Sequence, residues 1–344
     1  MHNRAFALRV SAGIAMVSGL AAPLAGCSGA SSALPAGSTS YSSAAAPAQP
    51  QIQHAPPIDP NLKSKLLFVS DNENNRISVY NAASKTQNPP PLRTITNGIV
   101  GPNGLATDKT GNLYVANYVS GTVTIYAPNA STPKTTLSNG LNGPFDVKVD
   151  GFGNVYVAND PLSGAAPFIQ LYPKGSTTPT YTWTAPGQGM VISGLALIDP
   201  LQQGETSIYA LEFTSTPSGL ATGGLLTCYP GAPTCTQLGY SFGQTGGIAV
   251  AQSPTGSKPF TFLAVDQYVP GVDTFTLGKP MTQLVTGGTP EFITLNSAAT
   301  QLFVADRFYG RVVEYSYPAG KQLNTFSSGG QTYGVATFPS GNLH

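Results

Sequence analysis

Apolar and polar residues alternate in short runs along most of this chain, and the runs recur in a fixed wording. Gly104–Asn117 is GLATDKTGNLYVAN and Asp146–Asn159 is DVKVDGFGNVYVAN. Gly334–His344 is GVATFPSGNLH, the same wording cut short, and Leu66–Asp71, LLFVSD, is its second half alone. Looser copies are Gly194–Glu212, Gly247–Asp266 and Phe292–Asp306. Short apolar runs bounded by turn residues predict strands, and the Gly-Asn dipeptide between two such runs predicts a turn. Each copy therefore starts with a first strand, a polar turn and a second strand. A third strand ending in an aromatic residue follows, at Tyr80, Tyr126, Tyr172, Tyr229, Phe275 and Tyr315. A fourth, more polar strand then leads into a Gly-rich linker.

The leucine position of GNLYVAN falls at Leu67, Leu113, Val155, Ile208, Phe262 and Leu302, and a seventh begins at Leu343. Four short antiparallel strands per repeat of this length are a propeller blade. The expected fold is all-β, a six-bladed β-propeller with four-stranded blades. The folded region opens on a second strand and closes on a first strand. The C-terminal strand is thus expected to join the N-terminal blade and close the ring, which removes an open sheet edge.

Only 9% of residues are charged, against about 25% in an average globular protein. With 39 Gly and 30 Pro, the chain suits turn-rich β structure. The net charge is +1 and no Lys/Arg cluster marks a nucleic-acid footprint, so a nucleic-acid partner is not expected.

The N-terminus is different. Arg4 and Arg9 precede an apolar stretch, Val10–Ala22, too short to span a bilayer. Leu24-Ala25-Gly26-Cys27 follows and resembles the lipobox of bacterial lipoproteins. The resemblance implies a signal peptide over 1–26, lipidation of Cys27 and a membrane as one partner. Ser28, rather than Asp, after the cysteine implies the outer membrane, on its periplasmic or cell-surface face. Residues 27–61 are rich in Ser, Ala, Pro and Gln, the composition of a disordered tether. The propeller is expected over 62–344.

Cys228 and Cys235 flank Pro230-Gly231-Ala232-Pro233 between two β-like runs. Opposed hairpin residues lie within bridging distance, so a structural disulfide is expected in an exported chain. Closing so small a loop is worth roughly 2.5 kcal/mol.

The P-N-G-L-A-T-D…G-N-L-Y-V-A-N wording resembles NHL-repeat propellers and the wider gluconolactonase/regucalcin-like and streptogramin-lyase-like superfamily. The resemblance covers Leu66–His344 and carries fold more than function, because such propellers include hydrolases, lyases and binding modules. The only histidines are His2, His54 and His344, the last residue, and none lies inside the blades. A Ser-His-Asp triad has no base, a His-rich zinc site has no ligands, and the funnel histidines of the lyases are missing.

Residues just before each first strand line the channel mouth in propellers. Here they are Asn103, Phe145, Ser193, Gly246, Glu291 and Tyr333, with Asp146 beside Phe145. Gluconolactonase-like enzymes hold a divalent metal with Glu, Asn and Asp at such places. By that resemblance Asn103, Asp146 and Glu291 could form an oxygen-only Ca²⁺ or Mg²⁺ site for lactone or ester hydrolysis. The other reading gives Asn103 to the turn after Pro102 and leaves Asp146 and Glu291 as solvated rim residues. Phe145, Ser193 and Tyr333 are then candidates for binding a protein, peptide or small molecule.

A ring of acids and amides, Asp71, Asn117, Asn159, Glu212, Asp266 and Asp306, ends the second strands and is expected to bond the following loops. Asp108 and Asp150 are expected to form turns. The repeating third-strand aromatics are expected to pack blade on blade. The non-repeating ones, Tyr118, Phe145, Trp183, Tyr268, Phe308 and Tyr333, are candidates for recognition. The leading expectation is a tethered binding or scaffold module, without catalysis; the alternative is the metal-dependent hydrolase.

Overall fold

The computed structural model describes residues 65–187, 189–199, 206–215, 221–251 and 260–339. The signal segment, Cys27, the tether, the three histidines and Leu343 lie outside the described residues.

The described strands form six four-stranded sheets, the blades of a β-propeller. Blade 1 holds β1 (Leu66–Asp71), β2 (Arg76–Asn81) and β3 (Arg93–Ile95). Blade 2 runs β4 (Pro102–Thr107), β5 (Leu113–Asn117), β6 (Thr122–Tyr126) and β7 (Thr135–Leu137). Blade 3 runs β8 (Pro144–Val149), β9 (Val155–Asn159), β10 (Phe168–Tyr172) and β11 (Tyr181–Thr184). Blade 4 runs β12 (Met190–Ile198), β13 (Ser207–Ser215), β14 (Ala221–Cys228) and β15 (Thr236–Phe242). Blade 5 runs β16 (Thr245–Ala251), β17 (Thr261–Asp266), β18 (Gly271–Phe275) and β19 (Thr282–Thr286). Blade 6 runs β20 (Pro290–Leu295), β21 (Gln301–Asp306), β22 (Arg311–Ser316) and β23 (Gln322–Ser327). The last strand, β24 (Thr332–Phe338), pairs antiparallel with β1 and completes blade 1. Each first strand neighbours the next, β4 to β8, β12, β16, β20, β24 and back to β4, so the ring is closed as expected.

The turn chemistry follows the repeated wording. Asp108 Oδ1 accepts the amides of Thr110 and Asn112, and Gly111 takes a φ of 84° that a side chain would strain. Asp150 repeats this with Phe152 and Asn154, where Gly153 has φ 91°.

The apolar core is divided into slabs between neighbouring blades. Leu66, Phe68, Ile77 and Ile95 of blade 1 meet Leu105, Leu113, Val115 and Tyr126 of blade 2, and five further clusters straddle the other blade pairs. The third-strand rings also carry a polar clasp. Tyr126 donates to Asn97 O at 2.6 Å, Tyr172 to Asn139 O at 2.6 Å and Tyr80 to Ser327 O. The first two hydroxyls reach the linker that follows the preceding blade, and the third reaches the last residue of β23. Burying such a ring is worth roughly 1.5–3 kcal/mol, and the clasp satisfies the hydroxyl that goes with it.

Blade 4 departs from expectation. Tyr229 is exposed, because the residue that pairs with the marker Ile208 is Cys228; in the other blades the marker pairs with Tyr80, Tyr126, Tyr172, Phe275 or Tyr315. The Cys228–Cys235 disulfide, present as expected with Cα atoms 4.4 Å apart, fills the aromatic slot. Trp183 of blade 3 packs against it, fully buried, and its Nε1 donates to Tyr229 O at 2.9 Å. Trp183 is therefore core, not a recognition residue, and blade 4 reverses the direction of the clasp.

Candidate functional site at the channel mouth

The six first strands share one irregularity. Each bulges at the slot expected to line the mouth. Asn103, Glu291, Tyr333 and Gly246 sit in two-residue stretches opposite one partner residue, and Phe145 and Ser193 are single insertions. A bulge breaks the two-residue alternation and re-aims one side chain. The ring of slots is thus built by the backbone, whatever residue occupies it.

A second ring interlocks with the first. The residue after each second-strand acid or amide is Asn72, Tyr118, Asp160, Phe213, Gln267 or Arg307. Four of these reach the mouth slot of the next blade. Asn72 Nδ2 donates to Asn103 Oδ1 at 3.0 Å. Tyr118 meets Phe145 edge-on with centroids 5.9 Å apart. Gln267 Nε2 donates to Glu291 Oε2 at 2.8 Å. The Arg307 guanidinium lies 4.3 Å over the Tyr333 ring. This partner ring escapes a reading that follows the repeated phrase, although its signal was present: the position varies from copy to copy just as the mouth slot does.

The mouth is lopsided. Ser193 Oγ bonds Gly246 O and Thr245 Oγ1, and a Cβ on Gly246 would lie 2.2 Å from Glu291 O. Strands β12, β16 and β20 therefore close tightly with small residues. Phe145, by contrast, reaches over the ring to Phe292 of β20, with centroids 5.9 Å apart.

Asp146 and Glu291 are buried, which corrects the picture of solvated rim residues. Asp146 Oδ1 accepts from Val147 N at 2.8 Å and Lys148 Nζ at 2.7 Å; Oδ2 accepts from Lys148 Nζ at 2.7 Å and Leu195 N at 2.8 Å. A Cβ on Gly104 would lie 2.3 Å from its Oδ1, so the carboxylate bonds β8 to β12 and packs against the bare backbone of β4. Burial pushes its carboxyl up, opposed by Lys148. Glu291 is likewise pushed up by burial and pulled back by Arg307, whose Nη1 is 3.6 Å away. Asn103, Asp146 and Glu291 each hold a protein donor already, and the two carboxylates each face a cation. Among the described residues no group of three or more His, Cys, Asp or Glu side chains could hold a metal ion.

The acid and amide ring behaves as architecture. Asp71 accepts Asn74 N and Arg76 Nε, and Asp266 accepts Tyr268 N and Gly243 N. Asn117 and Asn159 instead accept Val100 N and Asn142 N, from the linker before the first strand. Glu212 is the exception: its Oε2 is buried with no hydrogen-bond partner.

The chain matches no protein-family model, and no curated protein is similar to it. Solved structures are similar in fold. A chain of a nidogen/laminin complex aligns at TM-score 0.55 and 14% identity, covering 78% of this chain and 97% of that one. A luciferin-regenerating enzyme aligns at 0.51 and 17%, covering 68% and 79%. Kuenenia stuttgartiensis hydrazine synthase aligns at 0.50 and 15%, covering 73% of each chain. At these identities the likeness is one of fold: the chain is a six-bladed β-propeller.

Proposed function

We propose that the chain is an exported, lipid-anchored propeller of the NHL and gluconolactonase-like kind that captures a protein partner on its mouth face. One observation carries this reading. Val119, Leu162, Tyr268, Val269, Phe308 and Tyr309, each between 56% and 65% exposed, all belong to the hairpins between second and third strands. Those hairpins and the mouth slots lie at the same end of every blade. Large apolar side chains gathered in the exposed hairpins of one face favour an interaction surface, and Tyr, Phe and Arg are interface anchors. Arg307 and Arg311 stack over Phe308 at 5.0 Å and Tyr309 at 4.8 Å, which holds both rings in place.

The anchor rests on the Leu24–Cys27 motif, and Cys27→Ser should release the protein from the membrane fraction. The partner face is tested by replacing Tyr268, Phe308 and Tyr309 with Ser and comparing crosslinked partners with wild type. One protein recovered with wild type and lost with the variant supports the reading; equal recovery sinks it. The rival metal-dependent hydrolase requires Ca²⁺ or Mg²⁺ to displace Lys148 from Asp146. Calorimetric heat at millimolar Ca²⁺ together with lactone turnover would establish it instead.

A further inference from the structure

We propose that a slot between blades 1 and 2, on the face opposite the mouth, binds a small apolar monocarboxylate through Arg93. The slot encloses about 200 Å³ and is walled by Leu66, Phe68, Ile95, Leu113 and Phe338, with Arg93 at its side. Among the described residues no acidic side chain lines it. Drug-sized sites run to about 300–1,000 Å³, so this one suits a small ligand such as an aromatic or short-chain acid.

Arg93 differs from every other arginine among the described residues. Arg76 pairs with Asp71 at 2.8 Å, Arg307 with Glu291 at 3.6 Å and Arg311 with Asp306 at 2.9 Å. Among the described residues Arg93 has no carboxylate partner. Its Nη1 donates to Ala130 O at 2.8 Å; its Nε is buried with no partner, as is that of Arg307, so the missing carboxylate is what sets Arg93 apart. Burial holds the guanidinium below its ordinary value, the sign of a desolvated charge that nothing nearby compensates. A buried polar group without a partner is costly. An arriving carboxylate would supply the missing charge, and the guanidinium geometry favours it over a neutral group. The ring or chain of the acid would cover Phe68, Leu113 and Phe338.

Titration of the full chain with benzoate and hexanoate, followed by calorimetry or ligand-observed NMR, tests this. Both acids should bind saturably, with benzamide at least about tenfold weaker, the ratio expected for losing a charge-assisted hydrogen bond. Arg93→Gln should weaken benzoate by at least about tenfold and leave benzamide unchanged, while Arg93→Lys should retain part of the affinity. Circular dichroism checks the fold of each variant, and the acid–amide comparison on wild type stands even if Arg93→Gln misfolds. Equal binding of benzoate and benzamide, or unchanged binding in folded Arg93→Gln, overturns the proposal. So does an absence of saturable binding to the full chain. The mouth-face variants should not alter this binding, so the two readings fail separately.

Discussion

Phe145 of β8 meets Phe292 of β20 with centroids 5.9 Å apart and planes tilted 33°. The two strands stand opposite each other in a ring of six, so this contact spans the propeller axis. It gives the mouth an aromatic floor, and Tyr118 braces Phe145 from the side. Phe145→Ala removes the floor. A fully buried Phe→Ala costs about 3–5 kcal/mol. Phe145 is only partly buried, so the expected loss is about 2 kcal/mol, read from urea denaturation at unchanged m-value.

Cys228→Ala with Cys235→Ala should cost roughly 2–4 kcal/mol. The readout is direct, because the chain has one tryptophan and Trp183 packs on the disulfide. Trp183 emission should shift to the red in the variant, and reduction of wild type should reproduce the shift.

Burial raises the Asp160 carboxyl from 3.8 to about 6. The folded state therefore binds this proton more tightly than the unfolded one. The contribution to stability is complete below the unfolded value of 3.8 and is lost as pH rises through about 6. Asp160→Asn should flatten the fall in melting temperature across that window. Parallel melting curves for wild type and variant would refute the assignment.

Glu212 is 3% exposed, and burial raises its carboxyl. Gln237 Nε2 bonds one oxygen at 3.2 Å and the other has no partner. Glu212→Gln should stabilise the fold by about 1 kcal/mol at pH 7, because it removes a desolvated charge. The gain should vanish on acidification, as wild-type Glu212 takes up its proton.

Strand order, blade count and ring closure were all legible in the repeated phrase, because short apolar runs and Gly-Asn turns are local properties. The error at Tyr229 came from matching letters. CYPG resembles the end of the other third strands, and only pairing with Ile208 places Cys228 in the aromatic slot. The burial of Asp146 and Glu291 was hidden for another reason. Lys148, which makes that burial tolerable for Asp146, takes the place of Ala106 in the repeated wording, and Arg307, which does so for Glu291, follows the last residue of its copy, so neither recurs from blade to blade. The mouth bulges were also invisible, since a bulge depends on cross-strand register.

Leu66 of β1 pairs with Phe338 of β24, about 270 residues later. At about 5–20 residues per second, a ribosome needs roughly a quarter of a minute to a minute to make that span. All six residues of β1 end up buried, yet one side of the strand has no backbone partner until the last strand emerges. A nascent chain that folded blade by blade would carry this apolar edge unpaired for most of its synthesis, open to pairing with a neighbouring chain. Holding the chain unfolded until β24 is available is therefore a condition for making this protein one molecule at a time.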